Sequence, residues 1–220
     1  PIFIAISPFI INFFKKTKMS IWVLDLWPES LEFYKFPLKK ITINLILYFS
    51  QKLYSRCNNI FISSNGFSKS ISLKNFKNKI EFAPQWNRHQ SNFLIPNEEI
   101  KLPKIEKEDF IILFAGNMGK AQNLNYIFEA IKLTSKYKNI KWFFVGDGSE
   151  AKDFKIKVNL NKFQKSVFFF GHLPYSKLDV FFKSSDAFLI SLVDSPSINK
   201  VLPSRINHYL HYGKPILTLS

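Results

Sequence analysis

Three turns marked by glycine or proline carry the residues of this chain best suited to chemistry. The first is Gly116-Asn117-Met118-Gly119-Lys120. Two glycines let backbone N–H groups approach a phosphate, and Lys120 adds positive charge. Glycine after a strand also serves any α/β turn, so a purely structural reading stays open. The second is Gly146-Asp147-Gly148. Asp147 could accept hydrogen bonds from a ligand hydroxyl or base, or the glycines could simply make a tight turn. The third is Pro203-Ser204-Arg205-Ile206-Asn207-His208. With Pro203 as first helical residue, the free N–H groups of Ser204 and Arg205 add to the helix dipole and the Arg205 guanidinium. His208 is four residues from Ser204 and three from Arg205, one turn deeper on the same side. This is a diphosphate site or an ordinary solvated helix start.

The elements that must hold these turns are legible in the apolar pattern. Phe110–Ala115, Trp142–Val145, Val167–Phe170 and Ala187–Leu192 are short continuous apolar runs, the pattern of strands buried on both faces. Between them Leu124, Ile127, Phe128 and Ile131 fall at helical spacing, and Ser176 with Asp179 forms a capping box for a short helix. A further helix runs from Pro203 to a stop at Gly213. Alternating buried strands and helices specify a doubly wound parallel α/β domain over residues 110–220. Pro96, Pro103 and a mixed-charge run make 96–109 an interdomain linker. Residues 1–95 read as part of another α/β domain, with strands at Ile21–Leu24 and Ile60–Ile62 and a helix at Ile41–Leu53.

Net charge is +15, from 31 Lys and Arg against 16 Asp and Glu. Such a balance attracts polyanions, either an acidic membrane surface or nucleic acid. The charge is diffuse, net +7 over residues 1–100 and +8 beyond. With no helix-turn-helix, zinc or stacking-platform motif, no nucleic-acid partner is expected. A generally basic surface with peripheral attraction to anionic membranes fits better. The single cysteine, Cys57, excludes an internal disulfide and suits a reducing cytoplasmic compartment. Pro1–Phe14 is apolar but broken by Ser7, Pro8 and Asn12, too short to span a bilayer. The apolar opening on Pro1 and the run Pro215–Leu219 at the other end read as a fragment.

Taken in order, Phe114 to Gln122, Val145 to Gly148, Val167–Gly171, Ser185-Asp186-Ala187, and Pro203 to Arg205 through Gly213-Lys214-Pro215-Ile216 resemble the carboxyl-terminal half of retaining GT-B glycosyltransferases of family 4. The subgroup that builds O-antigen and capsule sugars is the most similar. Trp22 to Ser30 resembles a segment of their amino-terminal domain and puts Asp25, Trp27 and Glu29 on the acceptor side. The resemblance implies two Rossmann-like domains, the first incomplete here, with transfer from a nucleotide diphospho-sugar to a lipid-linked glycan at the cytoplasmic membrane face. It places the donor diphosphate on Gly116, Asn117, Gly119 and Lys120 and on the helix carrying Ser204 and Arg205. Asp147 would face the base and His208 the ribose. Two family glutamates eight residues apart correspond to Lys200 and His208, and a family arginine slot holds Asn117. No cofactor and no metal are implied, and the catalytic residue has no counterpart in this sequence. As a fragment, the chain is expected to bind donor without turnover. Two other readings are a GT-B-like sugar-nucleotide epimerase and a non-catalytic sugar-nucleotide-binding protein.

Overall fold

The computed structural model describes residues 2–27, 29, 40–71, 79–86, 100 and 102–219. Two compact units emerge. The first comprises Pro1–Gln85 together with Asp194–Pro203, and the second Trp86–Val193 with Ser204–Ser220. The division therefore falls at Gln85, and a ten-residue stretch inside the expected donor domain joins the first unit. Much of the expected linker, 96–99 and 101, lies outside the described residues. Ile100, Leu102 and Ile105 pack against a core of the second unit.

In the first unit, helix α1 (Ile6–Lys15) leads to strand β1 (Ser20–Val23), then helix α2 (Lys40–Arg56), β2 (Asn59–Ile62), α3 (Gly66–Ile71) and β3 (Ile80–Phe82). The strands pair in parallel in the order β1-β2-β3. Val23, Ile60 and Ile62 form the core with Leu53 and Tyr54 of α2 and Phe67 of α3, and Val201 packs against it. The one cysteine, Cys57, is buried there as a free thiol.

The second unit runs β4 (Phe110–Ala115), α4 (Leu124–Thr134), β5 (Ile140–Val145), α5 (Ala151–Leu160), β6 (Val167–Gly171), α6 (Asp179–Ser184), β7 (Ala187–Ser191), α7 (Arg205–His211) and β8 (Ile216–Leu219). Its five parallel strands take the order β6-β5-β4-β7-β8. Successive strand residues feed opposite cores. Ile112, Phe114, Trp142 and Phe144 pack with α4 and α5, whereas Ile111, Leu113, Phe143 and Val145 pack with α6 and α7. Both faces are buried, so the sheet is doubly wound, as its continuous apolar runs predict.

Two local expectations are corrected. Ser176 lies in a 3-10 turn, Tyr175–Lys177, and Leu178 takes the N-cap place with no side-chain cap. Asp179 instead accepts hydrogen bonds from Tyr212 (2.8 Å) and pairs with Lys183 (2.6 Å). Pro203 is not helical: α7 begins at Arg205 behind Ser204.

Candidate functional site

The chain order of the second sheet reverses at β4. Its successor β5 lies on one side and β7 on the other, which makes the carboxyl ends of β4 and β7 the switch point where open α/β sheets take ligands. These two strands pair only at Ile112↔Ala187 and Leu113↔Phe188. Beyond that register Tyr209 fills the gap. Its hydroxyl, fully buried, accepts the Ala115 N–H (3.1 Å) and lies 3.3 and 3.4 Å from the Ala115 and Leu189 carbonyls. A side chain from α7 thus supplies the hydrogen bonds that the diverging ladder lacks.

The turn after β4 is zipped to the turn after β5. Gly116 N–H donates to Val145 O, Met118 N–H to Asp147 O (both 2.8 Å) and Glu150 N–H to Met118 O (3.0 Å). Met118 is buried in the core below and anchors the turn. The approach is close enough to dictate glycine. A Cβ on Gly146 (φ +131) would stand 2.0 Å from Gly116 O, and one on Gly148 would stand 2.6 Å from Met118 O. Gly146 and Gly148 are therefore explained by loop-against-loop packing. Asp147 is exposed, and its carboxylate accepts the Gly148 N–H at 2.7 Å. Asn117 and Lys120 are exposed, while Gly119 is buried with the Asn117 amide lying across it.

Arg205 is the chemical centre of this end of the sheet. Its Cζ lies 4.8 Å from the Phe114 ring centroid, and Nη2 donates to Gln122 Oε1 at 2.8 Å. Stacking and tether together hold the guanidinium beside Gly116, where even a Cβ would come within 3.1 Å of Cζ. Nη1 is buried with no acceptor among the described residues, while Tyr209 lies against the same guanidinium. Burial pulls the Arg205 pKa down, an effect partly offset by Tyr209. Guanidinium remains charged in proteins, so the result is a desolvated cation with an unmet donor. A group of that kind is suited to an anion.

The other expected residues fall into place around it or away from it. Ser204 is exposed at the start of α7 and makes no side-chain cap. His208, one turn along, does not share the Arg205 environment. Its Nδ1 is 3.0 Å from the Tyr175 hydroxyl, and burial lowers its pKa. Lys200 belongs to the first unit. Its ammonium donates to Ser70 Oγ (2.9 Å), its carbonyl accepts Ser64 Oγ–H (2.5 Å), and Gly66 packs against its backbone. Asp25, also in that unit, is exposed and lines a cavity of about 410 Å³ between β1 and α1. Trp27 packs on the first core, and Glu29 carries a buried Oε2 with no partner among the described residues. Gln122, Phe114 and Tyr209 meet Arg205 and Tyr175 meets His208, pairings that the sequence does not reveal because each forms only through the fold. Among the described residues no three His, Cys, Asp or Glu side chains converge on a point that could hold a metal.

A curated protein of Pseudomonas aeruginosa described as the probable glycosyltransferase WbjE is 26% identical over 210 residues, covering 90% of this chain and 50% of its own. The chain thus spans about half the length of that relative. Anabaena HepE, solved in complex with UDP and glucose, superposes with a TM-score of 0.69 at 11% identity, covering 97% of this chain and 56% of that one. The lipopolysaccharide outer core galactosyltransferase WaaB, solved in its apo form, gives 0.59 at 15% identity, covering 100% and 56%. At such identities the structural likeness speaks to the fold, which is GT-B. The profile of the group 1 glycosyl transferases matches residues 97–219, more than half of the sequence and all of the sheet around Arg205. The chain belongs to that family.

Proposed function

We propose that the second unit is the donor-binding half of a retaining, metal-independent glycosyltransferase of family 4 type. Its donor is a nucleotide diphospho-sugar and its acceptor a lipid-linked glycan of the O-antigen or capsule kind. The observation that carries this reading is the unmet Nη1 of Arg205 beside Gly116 at the switch point. A diphosphate oxygen entering there would complete its hydrogen bonding, with Gly119 and Lys120 on the near side and Ser204 at the start of α7. In transfer, the bond from the sugar's anomeric carbon to the phosphate oxygen breaks and a bond to the acceptor oxygen forms on the same face. The departing phosphate takes the acceptor's proton, and Arg205 and Lys120 stabilise the nucleoside diphosphate. His208, steadied by Tyr175, would meet the ribose, and Asp147 the base.

The basic surface supports work at the cytoplasmic face of a membrane, with peripheral attachment to anionic lipid. Among the described residues no helix is long and apolar enough to cross a membrane. A non-catalytic nucleotide-sugar binder is the second reading, favoured by one observation. Where the family carries two glutamates, Lys200 is tied to Ser70 and His208 to Tyr175. Release of nucleoside diphosphate that depends on an added lipid-linked acceptor supports transfer. Binding without release, in a protein of the same length as its relatives, supports the second reading.

A further inference from the structure

An arginine head group withdrawn from water is ordinarily matched by a carboxylate, because a desolvated cation needs compensating charge. Arg205 is not. Its guanidinium meets the face of Phe114, the carboxamide of Gln122 and the phenol of Tyr209, all uncharged. No Asp or Glu pairs with it among the described residues. The ring face holds the guanidinium plane without choosing a direction within it, and the Tyr209 hydroxyl is engaged with Ala115 and Leu189. Oε1 of Gln122, 2.8 Å from Nη2, is the acceptor that sets which way the fork turns and so where Nη1 points. Gln122 is itself held. It ends the 3-10 turn Lys120–Gln122, its N–H donates to Gly119 O (3.0 Å), and Val193 N–H beyond β7 donates to Ala121 O (2.9 Å). Asn123 (φ +44) then turns the chain at once into α4. Gln122 is 9% exposed, so water does not readily take over its contact. A carboxamide differs from a carboxylate of the same shape in one respect that matters to an anion. It accepts the guanidinium N–H without cancelling the charge.

We infer that Gln122 is a positioning residue whose neutrality the site requires: it aims the Arg205 guanidinium and leaves the whole positive charge to an incoming diphosphate. The identity of that ligand rests on the donor reading above, whereas the pairing and its charge balance rest on the geometry around Arg205.

Calorimetric titration of the 220-residue chain and its variants with inorganic pyrophosphate, UDP and GDP tests it. Gln122→Glu keeps the size and the accepting oxygen but adds a negative charge, so affinity should fall at least about tenfold. Gln122→Met removes the acceptor without adding charge and should weaken binding by less, about two- to tenfold. A role confined to the fold ranks the two the other way, since Glu preserves the hydrogen bond that Met loses. In the Arg205→Met background, Gln122→Met should add nothing, because the group it aims is gone. Circular-dichroism melts establish which variants fold, and the cycle of Gln122→Met with Arg205→Met decides the matter if Gln122→Glu does not. Three results would overturn the inference: wild-type affinity in Gln122→Glu, weaker binding with Met than with Glu, or an undiminished cost of Gln122→Met in the Arg205→Met background. A wild type that takes pyrophosphate but neither nucleotide removes the donor reading and leaves this inference standing. A wild type that takes none of the three removes both.

Discussion

Methionine at position 205 separates what the arginine does for the fold from what it does for a ligand. In the free protein the guanidinium lies over Phe114, gives one N–H to Gln122 and leaves Nη1 buried without an acceptor among the described residues. Methionine keeps an apolar contact with Phe114 and removes a desolvated charge, a change that is often neutral or stabilising by about 1–4 kcal/mol. Against this, Gln122, itself buried, loses the donor to its Oε1, a cost of about 1–3 kcal/mol. The two terms are of similar size and opposite sign, so the stability of the free protein should move by no more than about 2 kcal/mol. Ligand binding has no such compensation. A charge-assisted hydrogen bond to phosphate contributes about 1.5–3 kcal/mol. That corresponds to a Kd raised about 10- to 150-fold. Denaturant melts of the free proteins should therefore lie close together, while calorimetric titration with UDP and GDP shows the loss. A variant that loses more than about 3 kcal/mol of stability and binds nucleotide as before would make Arg205 a structural clamp and remove the basis for the donor site.

Other perturbations have equally definite outcomes. Gly146→Ala should destabilise by well over the about 1–2 kcal/mol of a left-handed alanine, because its Cβ meets Gly116 O. Gly213→Ala (φ +63, nothing within 4 Å) should cost only that much, and urea titration compares the two. Tyr209→Phe should lose about 1–3 kcal/mol, since the buried Ala115 N–H is left without its acceptor. Burial lowers the His208 pKa, so the unfolded chain takes up that proton first as pH falls. The His208 contribution is thus intact above the ordinary histidine value near 6.5 and declines below it. His208→Gln should flatten the fall in stability between about pH 7 and 5.5. A chelator should leave nucleotide affinity unchanged, and a strict requirement for a divalent ion would redirect the donor-site chemistry.

The strands were legible where burial is complete. Phe110–Ala115 reads directly from six apolar residues, and all but Phe110 are buried. β5 begins earlier than its apolar run because Lys141 interrupts the pattern yet stays in the ladder, with its ammonium 3.6 Å from Asp109. The Ser176–Asp179 spacing suggests a capping box, but tertiary partners claim Asp179 for Tyr212 and Lys183, and local propensity yields. At the site, Arg205 was visible from its place behind a proline. Gln122 was not, because its one role is to meet a guanidinium 83 residues away. The glycines of the turn after β5 were visible as glycines, but the sequence left their cause open between a ligand, a tight turn and, as found, a neighbouring backbone. The detachment of Asp194–Pro203 from its own sheet leaves no periodic signal, and with it Lys200 passes into another environment.

The Tyr209 bridge also sets an order of assembly. Its hydroxyl completes backbone groups at Ala115, 94 residues earlier, and Leu189, 20 residues earlier. On the ribosome β4, β5, β6 and β7 are therefore synthesised before the residue that seals the gap between β4 and β7. Contacts of such sequence separation close late and slowly. Until α7 docks, the Ala115 amide and the Gln122 carboxamide lack their partners, and β7 presents an open edge that β8 has yet to cover. The element that brings Arg205 to this end of the sheet is made after β4, β5, β6 and β7. On the donor site proposed above, a nucleotide added during refolding should therefore report the docking of α7 rather than formation of the sheet.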